Sequence, residues 1–154
     1  TGFKHDELKI HVDKLKMQKV DLQRFSEAIN NKVWSATRTD MAMIGGITNG
    51  KKAMDLSDIG GLYCEIMSWG YTLVSVANLH LMLSSNNCSF YEQPLPYETF
   101  EFGMHDVLRT NKDGYMYAPT KPGLGVEINW DQMKTRVIHS FYCDKNKEVG
   151  LIHA

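Results

Sequence analysis

The chain lacks the cysteine patterns that announce a metal or a disulfide scaffold. Its three cysteines, Cys64, Cys88 and Cys143, are odd in number and far apart, and none belongs to a C-x-x-C. Neither a zinc knuckle nor a disulfide framework is signalled, and reduced, mostly buried thiols in a cytoplasmic protein are the expectation. A charge excess is also missing. With 17 Lys and Arg against 18 Asp and Glu, the formal net charge is -1, so no global attraction to nucleic acid or to anionic lipid exists. The densest basic cluster, Lys9 to Lys19, is interrupted by Asp13 and reads as a solvated helix face. No apolar run reaches the roughly 18 residues of a membrane span, and the N-terminus lacks the charged-then-apolar layout of a signal peptide. Neither G-x-S-x-G nor H-E-x-x-H occurs, so hydrolase signatures are absent. There is no internal repeat and no low-complexity segment.

What is present fits one α/β unit. The 154 residues, 43% hydrophobic and 23% charged, are ordinary for a globular domain. A chain of this size typically buries roughly 70% of its unfolded surface. Leu8, Val12 and Leu15 predict a helix over residues 4–19. Asp21 can cap a second helix carrying Leu22, Phe25 and Ile29. Val33 to Thr37 and Met41 to Ile44 are short extended candidates, and the non-alternating Met41-Ala42-Met43-Ile44 suits a strand buried on both faces. Gly45-Gly46 breaks that run. Thr48 and Asn49 can cap a helix from about Gly50 to Ile59, which Gly60-Gly61 stops. Leu62 to Met67 reads as the next strand, Thr72 to Ser85 as a helix apolar on almost every side, and Ser89 to Glu92 as a third strand ended by Gln93-Pro94-Leu95-Pro96. Strand, helix, strand, helix, strand means a parallel sheet with crossover helices. After Pro96, a hairpin with Asp113-Gly114 at its turn is predicted over Val107 to Ala118, then a tail helical from about Asp131 to His139.

Two readings compete for Asp40 to Lys52. From Gly45, the stretch nearly spells G-x-x-x-x-G-K-[ST], the phosphate-cradling loop of a nucleotide binder. Lys52, however, stands where a magnesium-binding hydroxyl belongs, and an ammonium repels the metal instead of ligating it. The other reading begins at Asp40, an acid followed by an apolar run, a glycine pair and a helix start. In parallel β/α barrels, reactive side chains stand at the C-terminal ends of strands. Asp40, the stretch Cys64-Glu65-Ile66-Met67-Ser68-Trp69-Gly70 and Glu92 would then share one rim.

These pieces resemble the C-terminal half of the mandelate racemase and muconate-lactonizing branch of the enolase superfamily. The resemblance rests on Asp40-Met41-Ala42-Met43-Ile44-Gly45-Gly46-Ile47-Thr48, Cys64-Glu65-Ile66, Ala77-Asn78-Leu79-His80-Leu81, Phe90-Tyr91-Glu92-Gln93-Pro94 and Pro122-Gly123-Leu124-Gly125-Val126, which occur in the family's order over roughly residues 20–135. It implies α/β architecture: a partial β/α TIM-type barrel, about strands five or six to eight, over residues 1–100. A C-terminal hairpin and tail, residues 101–154, would pack on a capping domain in relatives. The implied chemistry is proton abstraction α to a carboxylate, with the enediolate held by Mg²⁺, in dehydratases or racemases of acid sugars. Asp40 matches the acid that orients a strand-seven His. Glu92 matches the acid that donates a proton-bearing hydrogen bond to the substrate carboxylate, which a buried, low-polarity site can enforce.

Two departures limit this chain. The position of the strand-seven His holds Met67, 27 residues after Asp40, and a thioether transfers no proton at neutral pH. A base from the other half of a barrel, such as a Lys, is the alternative. The metal-binding acids of relatives also lie upstream, and a whole barrel needs roughly 250 residues. Met17-Gln18-Lys19 stands about where a strand-five metal acid would be sought, and Asp6, Glu7, Asp13 and Asp21 read as solvated. Mg²⁺ is therefore expected in complete relatives and no metal or cofactor site in this chain alone. His5 and His11 are wrongly spaced for a shared metal, and His105, His139 and His153 have no partner at ligand spacing. His80 reads as a hydrogen-bonded packing residue, Met41, Met43 and Met54 as core filler, and Trp69 and Tyr71 as pocket lining or packing. Two functions follow. One is an enzyme portion acting on a carboxylate-bearing small molecule. The other is a non-catalytic module that self-associates or pairs through an open, apolar barrel face.

Overall fold

The computed structural model describes residues 22–143 and 149–153. In chain order it contains α1 (Leu22–Asn30), β1 (Thr37–Thr39), α2 (Ile47–Ile59), β2 (Cys64–Ile66), α3 (Thr72–Leu83), a 3₁₀ turn (Tyr97–Thr99), α4 (Trp130–Lys134), β3 (His139–Cys143) and β4 (Val149–His153). The helix predicted over residues 4–19, with His5, His11, Asp21 and Met17-Gln18-Lys19, lies outside the described residues.

The β1–α2–β2 unit forms as the strand–helix–strand rhythm predicts. Its strands run parallel, with Thr37 opposite Cys64, Arg38 opposite Glu65 and Thr39 opposite Ile66. The helices cover one side of this sheet. Thr37 reaches α2 through its hydroxyl, 2.7 Å from that of Ser57. Cys64 and Ile66 pack with Met54 of α2 and Leu81 of α3. A second cluster joins Phe25 and Ile29 of α1 to Ile44 and Ala53. Strand side chains alternate between faces, so Arg38 and Glu65 leave on the side without helices.

Gly50 faces Leu81 of α3 at close range. A Cβ there would stand 2.6 Å from Leu81 Cδ2, so the glycine serves packing. Lys51, one residue on, pairs with Asp55 a helical turn away. Gly50 and Lys51 of the phosphate-loop reading are therefore spent inside a helix. Asn87, buried after α3, donates to the carbonyls of Met54 (3.0 Å) and Leu62 (3.3 Å), tying that loop to the crossover unit.

Five sequence expectations are corrected. Met41 to Ile44 is a turn, because the amides of Met43 and Ile44 both return to the carbonyl of Asp40 (3.1 and 2.9 Å). The strand is Thr37–Thr39, which puts Asp40 at its C-terminal end. Thr48 and Asn49 do not cap α2, which starts earlier, after Gly46, with no side-chain cap. Ser89 to Glu92 is not a strand, because side chains hold the amides a ladder would use: Glu65 accepts from Ser89 and Phe90 (both 3.4 Å) and Ser68 accepts from Glu92 (2.7 Å). The predicted hairpin keeps only its tip. Asn111 and Tyr115 close the turn at 2.9 Å with Gly114 at φ 80°, and no strands flank it. The tail is helical over five residues only, Trp130–Lys134, and His139 opens β3, paired antiparallel with β4.

Residues beyond 100 fold back on the α/β unit. Thr72 gives its amide and hydroxyl to the carbonyl of Phe100, Tyr71 donates to the carbonyl of Phe102 at 2.6 Å, and His80 Nε2 donates to the carbonyl of Leu124 at 3.0 Å. His80 is thus the hydrogen-bonded packing residue that its apolar helix suggests.

Candidate functional site

The rim at the C-terminal ends of β1 and β2 is built from two turns and one extended segment. Asp40 is buried where β1 ends. Its Oδ1 accepts from the amide of Ala42 at 2.6 Å, the short-range bond that turns the chain toward α2. Asn78 of α3, fully buried, reaches across to both strand ends. It accepts from the amide of Met41 at 3.0 Å and donates to the carbonyl of Met67 at 3.1 Å, with Asp40 Oδ1 at 3.5 Å. The Asp40 and Met67 positions are therefore locked to each other through one amide side chain. A lone amide in a helix apolar on nearly every side is the sequence signal that marks Asn78, since buried polar groups are hydrogen-bonded.

Glu92 arrives by a different route. The Ser68 hydroxyl accepts from its amide and donates to its carbonyl at 3.0 Å, which fixes its backbone against the end of β2. Its carboxylate then forms an ion pair with Arg38, the half-exposed residue in the middle of β1. Glu92 is a third exposed in its own side chain, at 33%. The buried, low-polarity setting that a neutral carboxyl donor needs is not what surrounds it. The structure pairs Glu92 with Arg38, a residue that the sequence reading did not single out and that stands two residues before Asp40.

Glu65 completes the uncovered face beside Arg38. Its carboxylate takes the amides of Ser89 and Phe90 and faces the Cys88 thiol at 3.7 Å. Burial pushes the Cys88 thiol up from its ordinary value, and the Glu65 carboxylate adds to that; burial does the same to Cys64. Both are free thiols of low reactivity. Tyr91 lines a shallow, solvent-open cleft together with Gly70, Thr72, Ser75, Gln93 and Glu101. Burial raises the Tyr91 phenol above its ordinary value, offset in part by a hydrogen bond with Ser75. Trp69 is exposed and stacks on Phe100 at 5.2 Å, and Tyr71 anchors the later chain, so neither lines this cleft.

The donor set does not suit a divalent ion. Each carboxylate is committed: Asp40 to Ala42 and Asn78, Glu65 to two amides, Glu92 to a guanidinium. Among the described residues, no three His, Cys, Asp or Glu side chains converge on one point. The orphaned buried polar atom among them, Thr39 Oγ1, shares the helix-covered face with Thr37 and is no rim ligand.

With this geometry established, relatives decide the family. A family model for enolase C-terminal domain-like proteins matches residues 14–132. The chain belongs to that family. D-galactonate dehydratase family member RspA of Pantoea ananatis is 34% identical in an alignment that covers 71% of this chain and 27% of that protein. The corresponding family member Dd703_0947 of Musicola paradisiaca is 33% identical, again over 71% of this chain and 27% of its own length. Among solved structures, a mandelate racemase/muconate lactonizing enzyme-type protein from Pseudovibrio sp. superimposes with a TM-score of 0.74 at 37% identity, over 87% of this chain and 33% of that one. An enolase from Pantoea ananatis with bound D-gluconate and Mg superimposes with a TM-score of 0.66 at 30% identity, over 75% and 28% of the two chains. The structural neighbours are thus those of the mandelate racemase/muconate lactonizing branch, as the motifs implied. The chain spans about a quarter of the length of the curated relatives it matches. No helix among the described residues is long and apolar enough to cross a membrane.

Proposed function

We propose that this chain is the C-terminal barrel portion, about strands six to eight, of an acid-sugar dehydratase or racemase. Its residues beyond 100 form the closing tail that would meet a capping domain in a complete protein. The reading is carried by the position of Asp40 at the C-terminal end of β1, where barrel enzymes present reactive groups. Glu92, paired with Arg38, which stands two residues before Asp40, supports that reading. Proton abstraction α to a carboxylate is the chemistry, with Asp40 and Glu92 as this chain's site residues and Mg²⁺ held by acids of a complete relative. Met67 offers no base, so the proton must go to a side chain elsewhere in a whole barrel. The isolated chain is proposed to be cytoplasmic and inactive. Solvent-deuterium exchange into a panel of acid sugars with Mg²⁺ tests this: no exchange is expected, and turnover by this chain alone would overturn the claim that it needs the rest of a barrel.

A non-catalytic module that self-associates is the second reading. It is favoured by Phe90, 73% exposed directly after the segment that borders the uncovered face. The face itself is charged, through Arg38, Glu65 and Glu92, so association would rest on the apolar border and not on an apolar interior. Sedimentation velocity separates the two: a concentration-independent monomer removes this reading.

A further inference from the structure

Asn49-Gly50 is the only Asn-Gly pair in the sequence, and the fold uses both of its members. Gly50 faces the buried Leu81, whose Cδ2 would stand 2.6 Å from a Cβ. Asn49 donates its side-chain amide to the carbonyl of Ile44 at 3.0 Å. That bond holds the end of the turn that opens at Asp40, whose carbonyl takes the amides of Met43 and Ile44. Such a pair is chemically labile. With no side chain on the second residue, its backbone nitrogen reaches the asparagine Cγ with the least hindrance. Helical backbone angles keep the two atoms apart. Here that restraint is slight. The pair lies in the first turn of α2, which has no side-chain cap, and the Gly50 amide is held by one bond, to the carbonyl of Gly46 at 3.0 Å. Breaking that bond and the one from Asn49 to Ile44 frees both reacting groups.

We propose that Asn49 is a deamidation site gated by the first turn of α2. When that turn opens, the Gly50 nitrogen gives up its proton and attacks Asn49 Cγ. The new C–N bond closes a five-membered succinimide, and the side-chain nitrogen leaves as ammonia. Water then opens the ring at either carbonyl and gives aspartate or isoaspartate, one water consumed for each ammonia released. Both products lose the donor to Ile44 and set a carboxylate against that carbonyl. A negative charge near a helix N-terminus is favourable in itself, so aspartate is the milder product. Isoaspartate adds a methylene to the backbone of the turn, which breaks the start of α2 and unties the loop that follows Asp40. The inference does not depend on the proposed acid-sugar chemistry.

The full chain is incubated in mildly alkaline buffer, native and in guanidinium chloride, and Asn49 is followed by peptide mapping for the amide-to-acid mass change and for isoaspartate. The mass change separates it from Asp113-Gly114, where isoaspartate forms without one. Asn49 should convert at least about tenfold more slowly in the native chain than in the denatured one. Ile47→Pro places proline at the first helical position, after a Gly46 whose ψ of 173° suits it. It should slow the native rate a further two- to fivefold, roughly, and leave the denatured rate unchanged. Thr48→Gly loosens the same exposed turn and should speed the native rate, which keeps the test open should the proline variant fail to fold. Equal rates in the native and denatured chains overturn the inference. So does a folded variant of either kind whose native rate matches that of the unmodified chain.

Discussion

The two faces of the β1–β2 sheet are made from alternate residues of the same short strands, and they differ in almost every physical respect. The helix side holds Thr37, Cys64 and Ile66, closed over by Ser57, Met54 and Leu81. The other side holds Arg38 and Glu65, partly in water, with Arg38 in an ion pair with Glu92 and the buried Asp40 following the end of β1. Burial of apolar area, about 25 cal/mol per Å², stabilises the first face. Exposed ion pairs contribute roughly 0–1 kcal/mol each, so the second face adds little to stability.

That division can be tested from its strongest consequence down. Leu81 lies on the helix side, fully buried against Gly50 and Met54. Leu81→Ala should cost about 2–5 kcal/mol in chemical denaturation, the range for a core leucine that leaves a cavity. Asn78 connects the two faces, since it sits in the apolar helix but holds the strand ends of the rim. Asn78→Ala should cost about 2 kcal/mol, because it leaves the amide of Met41 and the carbonyl of Met67 without their partner. Its signature is faster hydrogen exchange at Met41. An unchanged exchange rate there would mean that water replaces the amide and that the two faces are not coupled through it. Arg38→Gln should cost less than about 1 kcal/mol, as expected for a half-exposed pair. A loss as large as that of Leu81→Ala would make the charged face a structural element and end the comparison.

Much of the helix side was legible in the chain. The apolar runs, the glycine stops at Gly60-Gly61 and the crossover rhythm gave α2, β2 and α3 within a few residues. Met41 to Ile44 misled, because four apolar residues without a period do not distinguish a strand from a buried turn. The better signal was Thr37-Arg38-Thr39-Asp40, where β-branched residues alternate with charges. Asp40 keeps the strand-end place its motif suggested. Ser89 to Glu92 has the composition of a strand and fails as one, since Glu65 and Ser68, more than twenty residues earlier, capture its amides.

By itself the sequence determined the helix–strand–helix order of α2, β2 and α3, the glycine stop after α2, and the motifs that carry the family. Those are local properties, written in periodicity and in residues a few positions apart. The tertiary structure decided which acids are free to act. Asp40 is tied to Asn78 and Glu92 to Arg38, 38 and 54 residues apart in the chain. A carboxylate's chemistry is set by what stands within about 3 Å of it, and only folding brings those partners there.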